Sequence, residues 1–441
     1  MMAAMRQSTP AALPRLDLDL SLQVGKYDIQ ELLGKGSTGT VYLARDQFTG
    51  REVALKTIEP EVFRDPEFGA LYRTQFQNEA SLAGKLRHPH IVSILDAVVG
   101  EDSGHIAMEL ITGGDLSQYA KPDRLLTPAD VLQIGFKVCG AMDYAYRECG
   151  IVHRDIKPAN IMITHGTEIR IADFGAAFLK KSHVAQTAAM GSPFYMAPEQ
   201  LEGHEATFHS DMYSLGVVLY ELLAGRRPFV ADKLELLIRL ILQADPPPPS
   251  ALRPGLPREI DAVVLRAMKK NPAQRYGTWA QFGVELAKAM ALVTPPGAIP
   301  DSEKYIALSK VEMLQVLSDA EFWELAEAGK WSRVATGRVI VREDAPGTSV
   351  FFLARGQAKV TRQGRLLNMI NEGECFGEMA FIHGGAEPRH ATVEAMTDLV
   401  LAEFTPETLD KISVGAQLHF TRALVRNTVE RLALANTRVA R

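Results

Sequence analysis

The feature that most restricts this chain is an ordered set of polar residues, His153-Arg154-Asp155-Ile156-Lys157-Pro158-Ala159-Asn160, followed by Asp173-Phe174-Gly175. Asp155 and Asn160 stand close enough for one short loop to turn a carboxylate toward an acceptor hydroxyl and an amide toward a metal ion. Asp173 can reach the same ion from the next turn, and Lys157 can steady a transferring phosphoryl group. Any fold that satisfies this order must bring a loop and a later turn together around one triphosphate.

Upstream residues supply the remaining phosphate contacts. Leu33-Gly34-Lys35-Gly36-Ser37-Thr38-Gly39-Thr40-Val41 lies between two stretches of strand character, Tyr27-Asp28-Ile29 and Val41-Tyr42-Leu43, which predicts a glycine-rich hairpin whose backbone can approach phosphate oxygens. A lone hairpin of this kind is a weak signal, and it gains force from a lysine and a glutamate further along the chain. Val53-Ala54-Leu55-Lys56 reads as an apolar strand ending in a charge. Glu79, within the helical stretch Gln75–Leu82, can return a carboxylate to that lysine.

Taken in order, these motifs resemble the eukaryotic-type protein kinase superfamily over residues 27–287. The resemblance implies an α+β, two-lobed kinase fold using ATP and Mg²⁺. It casts Asp155, Lys157, Lys56 and Glu79 as catalytic residues and Asn160 and Asp173 as metal ligands. Nucleotide contacts are implied at Leu33, Gly34, Gly36, Gly39, Val41, Ala54, Lys56, Met108, Glu109 and Ile111, the last three in a hinge segment. Lys157 is similar to the serine/threonine branch, so protein substrates with Ser or Thr hydroxyls are implied. Gly191-Ser192-Pro193 and Ala197-Pro198-Glu199 resemble the end of an activation segment, Asp211 a helix anchor beneath the catalytic loop, and Arg275 the partner of Glu199. Arg154 beside the base suggests control by phosphate at Thr187 or Ser182. A pseudokinase scaffold is the alternative of another class, opposed by the presence of Lys56, Asp155 and Asp173.

Composition agrees with a folded chain of two or three domains: 441 residues, 46% hydrophobic and 23% charged. A net charge of −5 gives no general attraction to nucleic acid or anionic lipid. Cys139, Cys149 and Cys375 lack metal-ligand spacing, and a reduced, cytoplasmic setting is expected. No apolar run has the length of a membrane span, and Leu215–Leu223, broken by Glu221, reads as a core helix. Residues 1–24 read as a flexible tail. Pro246–Pro249 reads as a stiff interhelical loop and 288–303, with Thr294-Pro295-Pro296-Gly297, as a linker.

From 304 to 437 the pattern changes. A short helix at Asp319–Ala328 precedes apolar segments at Val339–Val341, Val350–Leu353, Ala358–Val360, Leu366–Ile370, Ala391–Val393 and Leu399–Leu401, parted by turn glycines. This predicts a β-roll or jelly-roll barrel with closing helices from Pro406 onward. Phe376-Gly377-Glu378-Met379-Ala380-Phe381 and Pro388-Arg389-His390-Ala391-Thr392-Val393 resemble a cyclic-nucleotide-binding domain. The resemblance implies Gly377, Glu378, Arg389 and Thr392 as contacts to cyclic AMP or cyclic GMP, Arg389 on the phosphate and Glu378 on the ribose hydroxyl. A barrel that has lost its ligand, with Glu378 paired to Arg389, is the alternative. Arrangement on one chain suggests that a cyclic nucleotide regulates the phosphoryl-transfer unit.

Overall fold

The computed structural model describes residues 23–36, 39–58, 60–66, 69–100, 103–175, 193–385 and 388–439. Thr187 and Ser182, the two candidate modification sites, lie outside the described residues, as do residues 1–22 of the expected tail. Gln23–Val24 of that tail is instead a short strand paired with Tyr27 and Asp28.

A small lobe begins with a six-stranded antiparallel sheet in the order Gln23–Val24, Tyr27–Gly36, Gly39–Asp46, Glu52–Ile58, Gly104–Glu109 and Ile94–Val99. The central strand Glu52–Ile58 is buried almost continuously because both faces are covered. Tyr27, Ala44, Val53, Leu55 and Ala107 fill one side, while Ile58, Phe63, Phe76 and Ile106 fill the other beneath the helix Gly69–Ser81. At the tip of the glycine-rich hairpin Gly36 pairs with Gly39, whose φ of 141° and whose hypothetical Cβ, 2.3 Å from the Thr57 carbonyl, admit no side chain.

The large lobe is helical. Pro128–Cys149 starts at a Thr127 cap and ends on Gly150 in the left-handed region, and Phe208–Ala224 is bounded likewise by Thr207 and Gly225. The second of these is buried along nearly its whole length, from Ser210 to Leu223, in the main core. Its apolar character therefore reflects burial in protein, and no helix among the described residues is long and apolar enough to cross a membrane. The proline run does separate two helices, Leu234–Gln243 and Pro249–Leu252, with the Pro247 carbonyl accepting from the Tyr220 hydroxyl at 2.8 Å.

The expected linker, residues 288–303, is helical at its two ends and irregular in between. The helix Trp279–Met290 runs into the segment, and a new helix, Asp301–Ser309, starts within it with Ser302 buried. Only the turns between them match the Pro/Gly composition. Beyond lie the helix Asp319–Ala328, with a Ser318/Glu321 capping box, and two four-stranded antiparallel sheets. One sheet runs Val339–Val341, Thr392–Ala395, Ala358–Arg362, Arg365–Ile370. The other runs Cys375–Phe376, Val350–Arg355, Leu399–Phe404, Lys330–Val334. Their inner faces enclose Leu353, Phe376, Val393 and Leu401, and the helices Pro406–Leu409 and Val414–Val439 close the barrel.

Candidate active site

Lys56 is placed by the period of its strand. Ala54 and Lys56 lie two residues apart and share a face, with Val41 opposite Lys56 and Met108 opposite Ala54 on the flanking strands. The Lys56 ammonium reaches Glu79 at 2.6 Å and Asp173 at 3.3 Å. Burial favours loss of its proton, yet the charges of Asp173 and Glu79 outweigh this and raise its pKa above the ordinary lysine value. Asp173 is held below the usual carboxylate range, chiefly by Lys56 and against its own burial. Burial pushes Glu79 upward, with the adjacent Lys56 opposing that shift.

The loop of residues 153–160 lies near these three residues, close enough for the Lys157 charge to act on Asp173. Lys157 Nζ donates to Asp155 at 2.7 Å, and Asn160 Nδ2 donates to the Asp155 carbonyl at 2.8 Å and its carboxylate at 3.0 Å. The Asn160 carbonyl accepts from the Ala172 amide at 2.9 Å, so Asn160 and the residue before Asp173 are tied together. Arg154 and Asp173 both adopt left-handed backbone, with φ of 68° and 64°. Conformations of this kind cost about 1 kcal/mol or more and persist when their surroundings dictate them. Asp211 does so from below, accepting from the amides of His153 and Arg154, both at 2.7 Å. Its burial pushes the carboxyl up to about 6, against the pull of those amides and of the nearby His153 and Arg154. Phe174 is buried against His153, with ring centroids 4.5 Å apart.

The barrel carries a second candidate site, a cavity of about 320 Å³. Arg389 is buried at its edge, donating from Nη1 to the carbonyls of Ser349 at 2.9 Å and Gly377 at 3.3 Å. Two glycines make room for it: a Cβ at Gly347 or Gly377 would stand 2.8 or 2.7 Å from the guanidinium. Burial lowers the Arg389 pKa, and the nearest counter-charge acting on it is that of Glu403. Glu378 also lines the cavity but pairs at 3.1 Å with Arg431 from the long terminal helix, so the expected alternative of a Glu378–Arg389 bridge is not formed. Thr392 corrects the sequence reading. Alternation along its strand turns Ala391 and Val393 to the cavity, and the Thr392 hydroxyl accepts from the Glu343 amide at 3.0 Å.

Family models match both parts of the chain that carry these residues. The family model described as protein kinase domain matches residues 27–285, more than half the chain. This chain belongs to the protein kinase family. A second model, the cyclic nucleotide-binding domain, matches residues 331–413. Similar curated proteins include serine/threonine-protein kinase PknB of Mycobacterium leprae, 36% identical over 293 residues covering 64% of this chain and 46% of the relative. PknB of Mycobacterium tuberculosis is 37% identical over 294 residues, with the same two shares. A probable serine/threonine-protein kinase of Streptomyces coelicolor, SCO3848, is 38% identical over 272 residues, 59% of this chain and 39% of the relative. The chain thus spans less than half the length of these relatives.

The structure places the other residues singled out in the sequence as follows. Arg275 grips Glu199 with two bonds, 2.7 and 2.8 Å, and Ser210 adds a third at 2.7 Å. Met108 and Glu109 end the strand Gly104–Glu109, and Glu109 is tied to Ser93 twice, its side chain accepting from the Ser93 amide at 2.7 Å and its own amide donating to the Ser93 carbonyl at 3.0 Å. Leu33, Gly34 and Val41 stand on the strands of the glycine-rich hairpin and Ile111 follows the strand Gly104–Glu109, while the tip residues Ser37 and Thr38 lie outside the described residues. Sequence reasoning missed Gln200, which donates to the Arg154 carbonyl at 3.4 Å, and Arg431. Neither belongs to a local pattern, since each partner lies far away along the chain.

No cluster of three or more His, Cys, Asp or Glu side chains among the described residues is arranged as a metal cage. Asp173 and Asn160 offer two oxygen donors, the kind of set Mg²⁺ uses when substrate phosphates and waters complete its shell. These residues fit that ion.

Proposed function

We propose that this kinase transfers the γ-phosphate of ATP to Ser or Thr hydroxyls of protein substrates, in the cytoplasm, and that its barrel binds a cyclic nucleotide that sets the activity. The observation that carries the reading is Lys56 shared between Glu79 and Asp173, opposite the Asp155–Lys157 pair. Lys56, fixed from two sides, is suited to holding nucleotide phosphates without reorganising. Asp155 is suited to accept the hydroxyl proton, and Lys157, 2.7 Å from its carboxylate, neutralises charge as the phosphoryl group approaches. Mg²⁺, held by Asp173 and Asn160, would supply charge neutralisation at the phosphate oxygens. Glycines of the hairpin bring backbone amides over the same phosphates.

Transfer of labelled γ-phosphate to a Ser/Thr peptide library tests this, with Asp155→Ala expected to lose roughly 10²-fold or more in kcat. Activity unchanged in that variant would sink the assignment. For the barrel, Arg389 with its glycine cradle supports anion capture. The Glu378–Arg431 pair favours the competing reading of a barrel that mediates contacts without nucleotide. Calorimetric titration with cyclic AMP and cyclic GMP decides between them.

A further inference from the structure

The helix Asp319–Ala328 carries Phe322 and Trp323 side by side, and successive residues on a helix point about 100° apart, so the two cannot share a face. Phe322 packs in the barrel-side core. Trp323, only 5% exposed, turns the other way, onto the kinase. Its indole meets His90 edge-on at 4.6 Å and Phe136 at 5.9 Å, and stacks on Tyr305 at 4.6 Å. Gly140 lies against it: a Cβ there would stand in ordinary contact, 3.8 Å from Nε1, so only a larger side chain would push on the indole. Beside the indole, Lys137 is 1% exposed and bridges Glu168 of the kinase to Asp301, 2.9 Å away on the first helix of the C-terminal half. The Ser302 amide donates to Gln133 at 3.3 Å in the same patch.

The kinase segments under this patch lead directly to the active site. His90 lies in the loop that follows the helix carrying Glu79. The loop is clamped to the strand Glu168–Ile171: the Ile171 amide donates to the His90 carbonyl at 2.8 Å, and the Val92 amide to the Ile171 carbonyl at 2.9 Å. Asp173 follows two residues after that strand. The segments that carry the two carboxylates fixing Lys56 are thus joined, through His90 and Glu168, to side chains that touch residues beyond 300. We propose that Trp323, together with the Asp301–Lys137 contact, is a positioning element of the kinase site, so that the C-terminal half sets nucleotide affinity in the cleft through this patch.

The inference rests on the ATP-site reading, and its test uses readouts independent of phosphate transfer. Trp323→Ala in the full chain is expected to weaken Mg²⁺·ADP binding by roughly fivefold or more and to speed amide exchange in residues 69–92 while the helix Phe208–Ala224 keeps its protection. Trp323→Phe is expected to restore most of both. Gly140→Leu, which displaces the indole from the kinase side, should reproduce the loss. Unchanged ADP affinity and exchange in Trp323→Ala would overturn the proposal. So would faster exchange spread evenly through the large lobe, which would mark Trp323 as general structural support. If the parent bound Mg²⁺·ADP but moved no phosphate, the catalytic reading would fail while these measurements still decided the role of Trp323.

Discussion

Lys56 and Arg389 are both buried cations, yet they are compensated in opposite ways. Lys56 lies against two carboxylates, 2.6 and 3.3 Å away. Arg389 is held by two main-chain carbonyls, and no carboxylate among the described residues comes within ion-pair distance. Full charges balance Lys56 before any ligand arrives, so its position is fixed in advance. Dipoles alone balance Arg389 poorly, and a buried guanidinium in that condition gains most from an incoming anion. Under the proposed function, the first arrangement suits a prebuilt catalytic site and the second a site that responds to what it binds.

The largest effect that could break this contrast is on stability. Lys56→Met leaves the buried Glu79 without its cation, beside a partly exposed Asp173, and should cost about 3 kcal/mol by urea unfolding. Arg389→Leu should change stability by less than about 1 kcal/mol, because only two dipolar bonds are lost while an uncompensated charge is removed. It should abolish cyclic nucleotide binding. Equal costs for the two substitutions would show that Arg389 has a counter-charge as strong as that of Lys56.

Glu199 sharpens the same comparison through pH. Burial pushes its carboxyl up, but Arg275 overcomes this and holds it below its ordinary value of 4.5. A depressed folded value means that the pair's stabilisation is present above that pH and lost as pH falls through the folded pKa. The stability gap between the parent and Glu199→Gln should therefore be widest near neutrality and narrow in acid. A gap independent of pH would rule out the ionic origin of that support. The smallest effect is expected at Arg431, whose pair with Glu378 is partly exposed. Arg431→Ala should cost about 0.2–1 kcal/mol and raise cyclic nucleotide affinity in calorimetry, since the ribose would no longer compete for Glu378. A fall in affinity would instead make Arg431 a direct ligand contact.

The two sites were not equally legible. Kinase residues repeat a spacing whose chemistry is local: Asp155, Lys157 and Asn160 share one loop, and Lys56 sits on a strand whose alternation predicts its face. Their convergence with Glu79 and Asp173 followed from motif order. The barrel strands were equally readable, but Thr392 was misplaced because its motif did not reveal which strand face meets the cavity. Arg431 stayed invisible because its approach to Glu378 depends on how a terminal helix lies over the barrel. Likewise the Pro/Gly stretch near 295 marked an end of helix, but not that Asp301 and Ser302 would dock on the helix Pro128–Cys149.

By itself the amino-acid sequence determined which reactive groups exist, their order, and the strands and helices that carry them, because backbone periodicity and turn chemistry are short-range. Tertiary structure alone decided which charge meets which: Lys56 with two carboxylates, Arg389 with carbonyls, Glu378 with Arg431, and Trp323 with the kinase. Those pairings depend on packing between segments far apart along the chain, where burial and distance set the strength of each charge and no local pattern records them.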